Sequence, residues 1–506
     1  MSTAGQTEAK YNLMWFRSDL RVYDNPALYQ AMTQGPTVAV FVLTEGQWQQ
    51  HDMAPARRSL LLRQVRSLAR ELEKLHVPLI VLNCDSFKEL PENLNALREQ
   101  LGIQSLFFNH EYELNEKACA TEVTSLFKGK GVSVSAHHDA CLLPPGSIRN
   151  KQGEPYKVFT AFKRALFEVY HNKARSIHNR PKPQKALQVN TDISLLPQDN
   201  YLAKLWPDGE DEAHERLNQF MDHHIKQYKN LRDFPAANAS SVISPYLAVG
   251  ALSTTQCMQA ALSLNKGSLS DGNEGIACWI NELIWREFYR HLLVDFPDVC
   301  RHKAFKPETE RLPWKHDQDK FSAWKEGRTG YPLVDAAMRQ LNETGWMHNR
   351  LRMVTAMFLT KHLFIDWRLG EAYFMSKLVD GDLASNNGGW QWSASTGVDA
   401  VPYFRIFNPV MQSQRFDPEG EFTRQYVPEL AQLDNKSIHM PTEKQARSLA
   451  YPLPIVDHAQ AVAQTKYWFK SLSAPDEHPD LFSEQENNDS KQMTGSKNTH
   501  KEHFSV

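Results

Sequence analysis

The 506-residue sequence predicts two unlike halves, an α/β N-terminal domain on a parallel, Rossmann-like sheet and an all-α C-terminal domain. Three observations carry the prediction. Short apolar runs alternate with amphipathic stretches between residues 11 and 140, the rhythm of a parallel sheet with right-handed crossovers. From residue 206 to 472 helical periodicity continues and no convincing strand run interrupts it. Eight of the twelve tryptophans fall between Trp279 and Trp392, an aromatic concentration confined to the helical half. The length also exceeds what one hydrophobic core usually serves.

Taken in order, YNLMWF, TVAVFVLT, VPLIVLN, SLFFN and GVSVSA are the candidate buried strands. Asp24 and Asn25 ahead of Pro26 read as a helix start, with proline at the first helical position. Between Arg58 and Leu75, Leu61, Val65, Leu68, Leu72 and Leu75 recur at helical spacing with charges opposite them. No GxGxxG follows the first strand, which argues against this domain holding the main cofactor. Prolines break the pattern from 141 to 205, read as an interdomain linker in which Val158 to Tyr170 could form one helix. Helices are then expected over Glu212 to Tyr228, Leu283 to Leu293, Val334 to Leu341 and His348 to His362. Residues 1–10 and 473–506 are too polar to bury a core and read as disordered ends.

Composition narrows the function classes. The six cysteines are scattered without CxxC spacing, against a zinc site or disulfide framework and in favour of a reducing cytoplasm. No run of eighteen apolar residues occurs and the first ten residues lack an apolar core, so a soluble, cytoplasmic protein is expected, neither exported nor membrane-spanning. There is no P-loop, GxSxG, HExxH or metal-ligand cluster. With a net charge of −2, any attraction for nucleic acid must come from a local basic face.

The segment Lys377 to Trp392, KLVDGDLASNNGGWQW, concentrates chemistry in a stretch that reads as turn-rich. Asp380 and Asp382 flank Gly381, Asn386 and Asn387 run into two glycines, and Trp390 and Trp392 follow, an inventory suited to a polar, ring-containing ligand. Taken singly, an Asp cap, an Asn-Gly turn and core tryptophans explain the same residues. In WINELIWREFYRH, Trp279, Glu282, Arg286 and Tyr289 share one helical face, with a Glu282–Arg286 surface pair as the plain alternative. GWMHNRLRM places Trp346, Asn349, Arg352 and Met353 on another face, with Arg350 and Arg352 suited to phosphates or an acidic partner; His348 alone carries little weight. The run Ser240 to Ser244 suits a diphosphate or simply caps a helix.

Together WFRSDLRVYDNPAL, NELIWREFYRHL, GYPLVDAAMRQL, GWMHNRLRM and DGDLASNNGGWQW resemble the DNA photolyase and cryptochrome family, in order, from about residue 11 to 470. GWMHNRLRM is similar to bacterial class I enzymes for cyclobutane pyrimidine dimers. The resemblance implies an antenna domain over 11–140 and a helical domain over 206–472 that holds FAD, reduced when active. It implies light-driven repair of UV-damaged DNA by a monomer; the alternative is a cryptochrome-like photoreceptor without repair. By position, Tyr228, Ser240, Ser241, Val242, Ile243, Ser244, Trp279, Arg286, Arg352, Asp380, Gly381 and Asp382 would line FAD, with Asn349 beside them and Asn386 facing the central-ring nitrogen. A neutral amide there bonds reduced flavin without adding negative charge. Glu282, Trp285, Asn349, Met353 and Trp392 would receive the lesion, and Glu282, Arg286, Tyr289, Asn349, Arg350 and Gln412 would contact DNA. Trp390, Trp367 and Trp314 match the family's electron chain. His51, Asn115, Glu116 and Cys300 match a folate-type antenna site, implying methenyltetrahydrofolate. Arg301 departs from the lysine of a close relative, and Val242 and Tyr426 from common family choices.

Overall fold

A computed structural model describes residues 10–472; of the ends expected to be disordered, 1–10 and 473–506, all but Lys10 lie outside the described residues. Five strands, β1 (Tyr11–Phe16), β2 (Thr37–Leu43), β3 (Leu79–Asn83), β4 (Ile103–Asn109) and β5 (Ser133–His137), form one sheet in the order β3-β2-β1-β4-β5. Every pairing is parallel. Both faces are covered, as a parallel sheet requires. Met14, Phe16, Ala39 and Phe41 enter one core, while the alternating Leu13, Trp15, Val40 and Phe108 enter another. Helix starts follow local chemistry: the Asn25 side chain accepts from the Leu28 amide at 3.1 Å and Pro26 opens the Pro26–Gln34 helix. The leucine-rich helix starts three residues before the expected Arg58, at Pro55, and ends at Glu73.

The chain leaves β1 towards β2 and β3, then returns to the other side of β1 as β4. The loops after β1 and β4 therefore diverge, opening a crevice at the carboxyl ends of these strands. The stretch 141–205 carries the helix Phe159–Lys173, and its Leu142, Leu143, Ile148, Phe162, Leu166 and Leu196 are buried in a core shared with the sheet. The Leu142 and Leu143 amides each donate to the buried Glu287 carboxylate at 2.9 Å, fastening this stretch to the helical half.

Glu274–Asp295, capped by Asn273, is the longest helix among the described residues, and the site helices Asn349–Met357, Trp367–Met375 and Leu383–Ala394 follow it in the chain. Two expected helices are divided. Glu210–His223 ends before Tyr228, where Ile225 turns into the core and a short helix, Tyr228–Leu231, begins anew. The stretch expected from His348 to His362 is α-helical to Met357 and continues as one wider, π-type turn through His362. The turn expected around Asn386 to Gly389 is also corrected: these residues lie inside Leu383–Ala394, whose N-cap is Asp382. A Cβ on Gly388 would meet the Tyr289 ring at 2.3 Å, so close packing against the long helix outweighs the low helical propensity of Asn-Asn-Gly-Gly.

Candidate active site and the adjoining cavity

Glu282 and Arg286 are one helical turn apart but do not pair. Arg232 donates to the Glu282 carboxylate and to the Cys278 sulfur at 3.2 Å, and its guanidinium lies 5.3 Å from the Tyr228 ring. Arg286 turns instead towards the sheet, donating to the Ala140 carbonyl at 2.8 Å and Thr254 Oγ1 at 2.9 Å. Trp279 is buried and its indole N–H points at Ser241 Oγ, 3.4 Å away. Trp285 stacks on Phe159 at 3.6 Å and 4°. Around the same opening Arg350 pairs with Asp233 at 2.8 Å and covers Phe416 at 4.6 Å. Gln412, on the helix that ends at Phe416, has a buried Oε1 without a partner among the described residues. Asn349 is exposed, and Met353 and Trp392 are half-buried.

A second cluster lies around Asp380 and Asp382. Asp380 Oδ2 accepts from Ser244 Oγ at 2.6 Å and Arg352 at 2.8 Å, whereas its buried Oδ1 has no partner among the described residues. Val242, between Ser241 and Ile243, holds φ +49°, a strained conformation for a β-branched residue and the kind retained at ligand clamps. Asp382 caps its helix through the Ser385 amide at 2.9 Å and pairs with Arg290. Burial opposes its charge, but Arg290 and Arg286 hold the carboxyl well below the usual range. Asn386 donates its amide to the Glu371 carbonyl at 3.0 Å. His348 caps the Asn349–Met357 helix by accepting from the Arg350 amide at 3.2 Å; burial pushes its pKa down to about 4, so it is a neutral acceptor.

Trp390 and Trp367 are buried and Trp314 is half-exposed, an inside-to-outside order. A Cβ on Gly370 would meet the Trp390 ring at 2.2 Å, so glycine lets the helix that begins at Trp367 lie directly on that indole. Trp314 contacts Phe364 at 4.9 Å between ring centres, three residues before Trp367.

Between the carboxyl ends of β1 and β4 and the helical half is a cavity of about 860 Å³. His51, Asn115, Glu116, Cys300 and Arg301 all line it, as do Arg286 and Asp382 from the cluster above. Asn115 Nδ2 lies 3.0 Å from His51 Nε2. Burial, reinforced by Glu113 and Glu111, pushes Glu116 up to about 8, and burial pushes Cys300 up to about 11. Arg301 is exposed and pairs with Asp298 at 3.0 Å.

Residues 12–184 match the DNA photolyase family domain, and residues 279–471 match the FAD binding domain of DNA photolyase. The chain belongs to the DNA photolyase family. It is 43% identical to the deoxyribodipyrimidine photo-lyase of Vibrio cholerae, over 91% of this chain and 99% of that protein. Among solved structures it is similar to a bacterial class III photolyase from Agrobacterium tumefaciens, with TM-score 0.82, 33% identity, and coverage of 93% of this chain and 99% of that one. It is also similar to a Synechocystis cryptochrome, with TM-score 0.80, 29% identity, and coverage of 92% and 100%.

As in any member of this photolyase family, the helical domain must accept FAD, and its residues fit that group. The unpartnered Asp380 Oδ1 supplies an acceptor, Arg352 beside it a cation, and the strained Val242 lies between the serines of the same loop. Four neighbours of the expected site residues escaped the sequence reading: Arg232, Glu371, Phe159 and the capping role of His348. Each meets a partner at least 15 positions away, or acts through a cap that the run Trp346-Met347-His348-Asn349 does not advertise.

Proposed function

We propose that the protein repairs cyclobutane pyrimidine dimers in UV-damaged DNA under blue light, as a cytoplasmic monomer. The observation that carries this reading is Glu282, held by Arg232 and three residues along the same helix from Trp285, whose ring stacks on Phe159. Reduced FAD, when bound, would supply light-driven one-electron chemistry for opening the cyclobutane ring, with no net electron consumed.

The protein's own residues do the rest. Tyr228, the loop Ser240 to Ser244, Trp279, Asn349, Arg352, Asp380, Gly381 and Asp382 hold the cofactor, and Asn386 presents a neutral amide to it. The Glu282 carboxylate accepts from the lesion's ring N–H, while Arg232 keeps the local charge balanced so that negative charge on the lesion is not repelled. Trp285, Met353 and Trp392 exclude water from the flipped dimer, whose poor stacking lowers the cost of extrusion. Arg350, Tyr289 and Gln412, with Arg232, meet the flanking strand, so affinity falls with added salt. Trp390, Trp367 and Trp314 pass electrons inward when the cofactor must be reduced. Methenyltetrahydrofolate is the chromophore proposed for the cavity at His51, Asn115, Glu116, Cys300 and Arg301; its acidic tail and amino-substituted ring match the cations and Glu116 there.

The test is repair of a defined thymine dimer in an oligonucleotide, in blue light and in darkness, with a (6-4) lesion alongside. Recovery of thymine absorbance only in the light, with the (6-4) lesion untouched, is expected. Failure on both lesions by the FAD-loaded, reduced protein would replace this reading with a photoreceptor, the role suggested by the cryptochrome likeness.

A further inference from the structure

Glu371 sits on the Trp367–Met375 helix with its side chain 1% exposed, and it touches two functional regions at once. Its carbonyl accepts from Asn386 Nδ2 at 3.0 Å, and its carboxylate Oε1 lies 3.5 Å from the same nitrogen. Two acceptors claim the NH2 end, so the Asn386 carbonyl oxygen is the end left to face the cofactor. The other carboxylate oxygen, Oε2, meets His302 Nδ1 at 2.8 Å. His302 lines the antenna cavity, and its imidazole is about half-exposed, 48%, against the buried Glu371.

We propose that His302 sets the charge behind Asn386 through Glu371, and thereby tunes the bound flavin from the floor of the antenna cavity. This rests on the reading that Asn386 faces the flavin. Protonated His302 neutralises the Glu371 carboxylate; neutral His302 leaves an uncompensated negative charge directly behind Asn386, which disfavours placing another electron on the flavin. The backbone fixes the histidine: it follows the turn Pro297–Arg301 with φ +57°, and Arg368 Nε donates to its carbonyl at 2.7 Å. The charged groups around it are Glu371 and Arg368 on the helix, the latter paired with Glu310 and Asp366, Asp52 and His51 from the N-terminal domain, and Asp298, Arg301 and Lys303 on its own segment. The Glu371 hydrogen bond outweighs burial and raises His302 above the ordinary 6.5, so the change falls at a higher pH than for a free imidazole.

The experiment measures the reduction potential of FAD in the loaded protein against pH, for wild type, His302→Gln and His302→Arg. The wild type should follow His302→Arg in acid and His302→Gln in alkali, with an inflection between them that neither variant shows. His302→Gln tracking the wild type at every pH would overturn the proposal. Asn386→Ala separates the two layers of the reading. If it leaves the potential unchanged, Asn386 does not face the flavin and the site assignment fails. If it shifts the potential while His302→Gln does not, only the coupling through His302 fails.

Discussion

Replacing Arg290 with methionine leaves Asp382 buried and without its main cation, at the point where two site helices meet. Arg290 lies on Glu274–Asp295, and Asp382 caps Leu383–Ala394, the helix of Asn386, Trp390 and Trp392. Breaking a buried pair from one side costs about 3–5 kcal/mol. Two features place this one near the lower end: the side chains keep 11% and 13% exposure, and Arg286 and the Ser385 amide still stabilise the carboxylate. A loss of about 3 kcal/mol corresponds to roughly hundredfold faster hydrogen exchange if the Leu383–Ala394 amides exchange by opening of this helix. Exchange at those amides is the assay, because a chain with two cores need not unfold in one step. Asparagine caps about as well as aspartate but carries no charge, so Arg290→Met/Asp382→Asn should regain about tenfold of the protection. The pH dependence has a definite sign. The depressed Asp382 contributes its stability fully above the ordinary 3.8 and loses it as pH falls towards the depressed value, so the wild-type and Arg290→Met protection curves converge in acid. A change under about threefold, or a double variant as deprotected as the single one, would refute the reasoning.

Glu282→Ala should lower the repair yield more than lesion binding, since its hydrogen bond strengthens as negative charge develops on the lesion; equal losses in single-turnover yield and in binding titrations would remove that role. Trp314→Phe should slow photoreduction of oxidised FAD while repair by chemically reduced enzyme stays intact, as followed by flavin absorbance; undiminished photoreduction would take Trp314 out of the chain. Among the described residues the buried Lys361 ammonium has only Ser395 Oγ at 2.8 Å and the Arg405 carbonyl at 3.5 Å as partners, and burial pulls its pKa from 10.5 to about 7. The folded state therefore binds fewer protons than the unfolded chain between these values, and stability should rise with pH across that window. Lys361→Met should abolish the rise and stabilise the protein near neutrality by up to about 5 kcal/mol, read from urea midpoints; a rise that persists in the variant would contradict the assignment.

The sheet and most helices were legible because their signals are local. A parallel strand is covered on both faces, so β1 to β4 appear as near-continuous apolar runs, and Asn25-Pro26 announces a helix by its own capping chemistry. The helical face of Trp279, Glu282, Arg286 and Tyr289 could likewise be read from spacing, because that face is a property of one segment. The same spacing could not tell that Glu282 would choose Arg232, 50 positions away, over Arg286 only four away. Composition around Asn386 to Gly389 favoured a turn, and only the Tyr289 ring pressed on Gly388 shows why the helix continues.

The sequence by itself determined most of the segments that form strands and helices, which of their faces are apolar, and which side chains the site can draw on. Tertiary structure decided the partners: Ser244 with Asp380 across 136 positions, Arg290 with Asp382 across 92, and His302 with Glu371 across 69. Periodicity is set by backbone geometry within a few turns, whereas the pairing of buried charges depends on which elements pack together and how far each side chain is desolvated when they do.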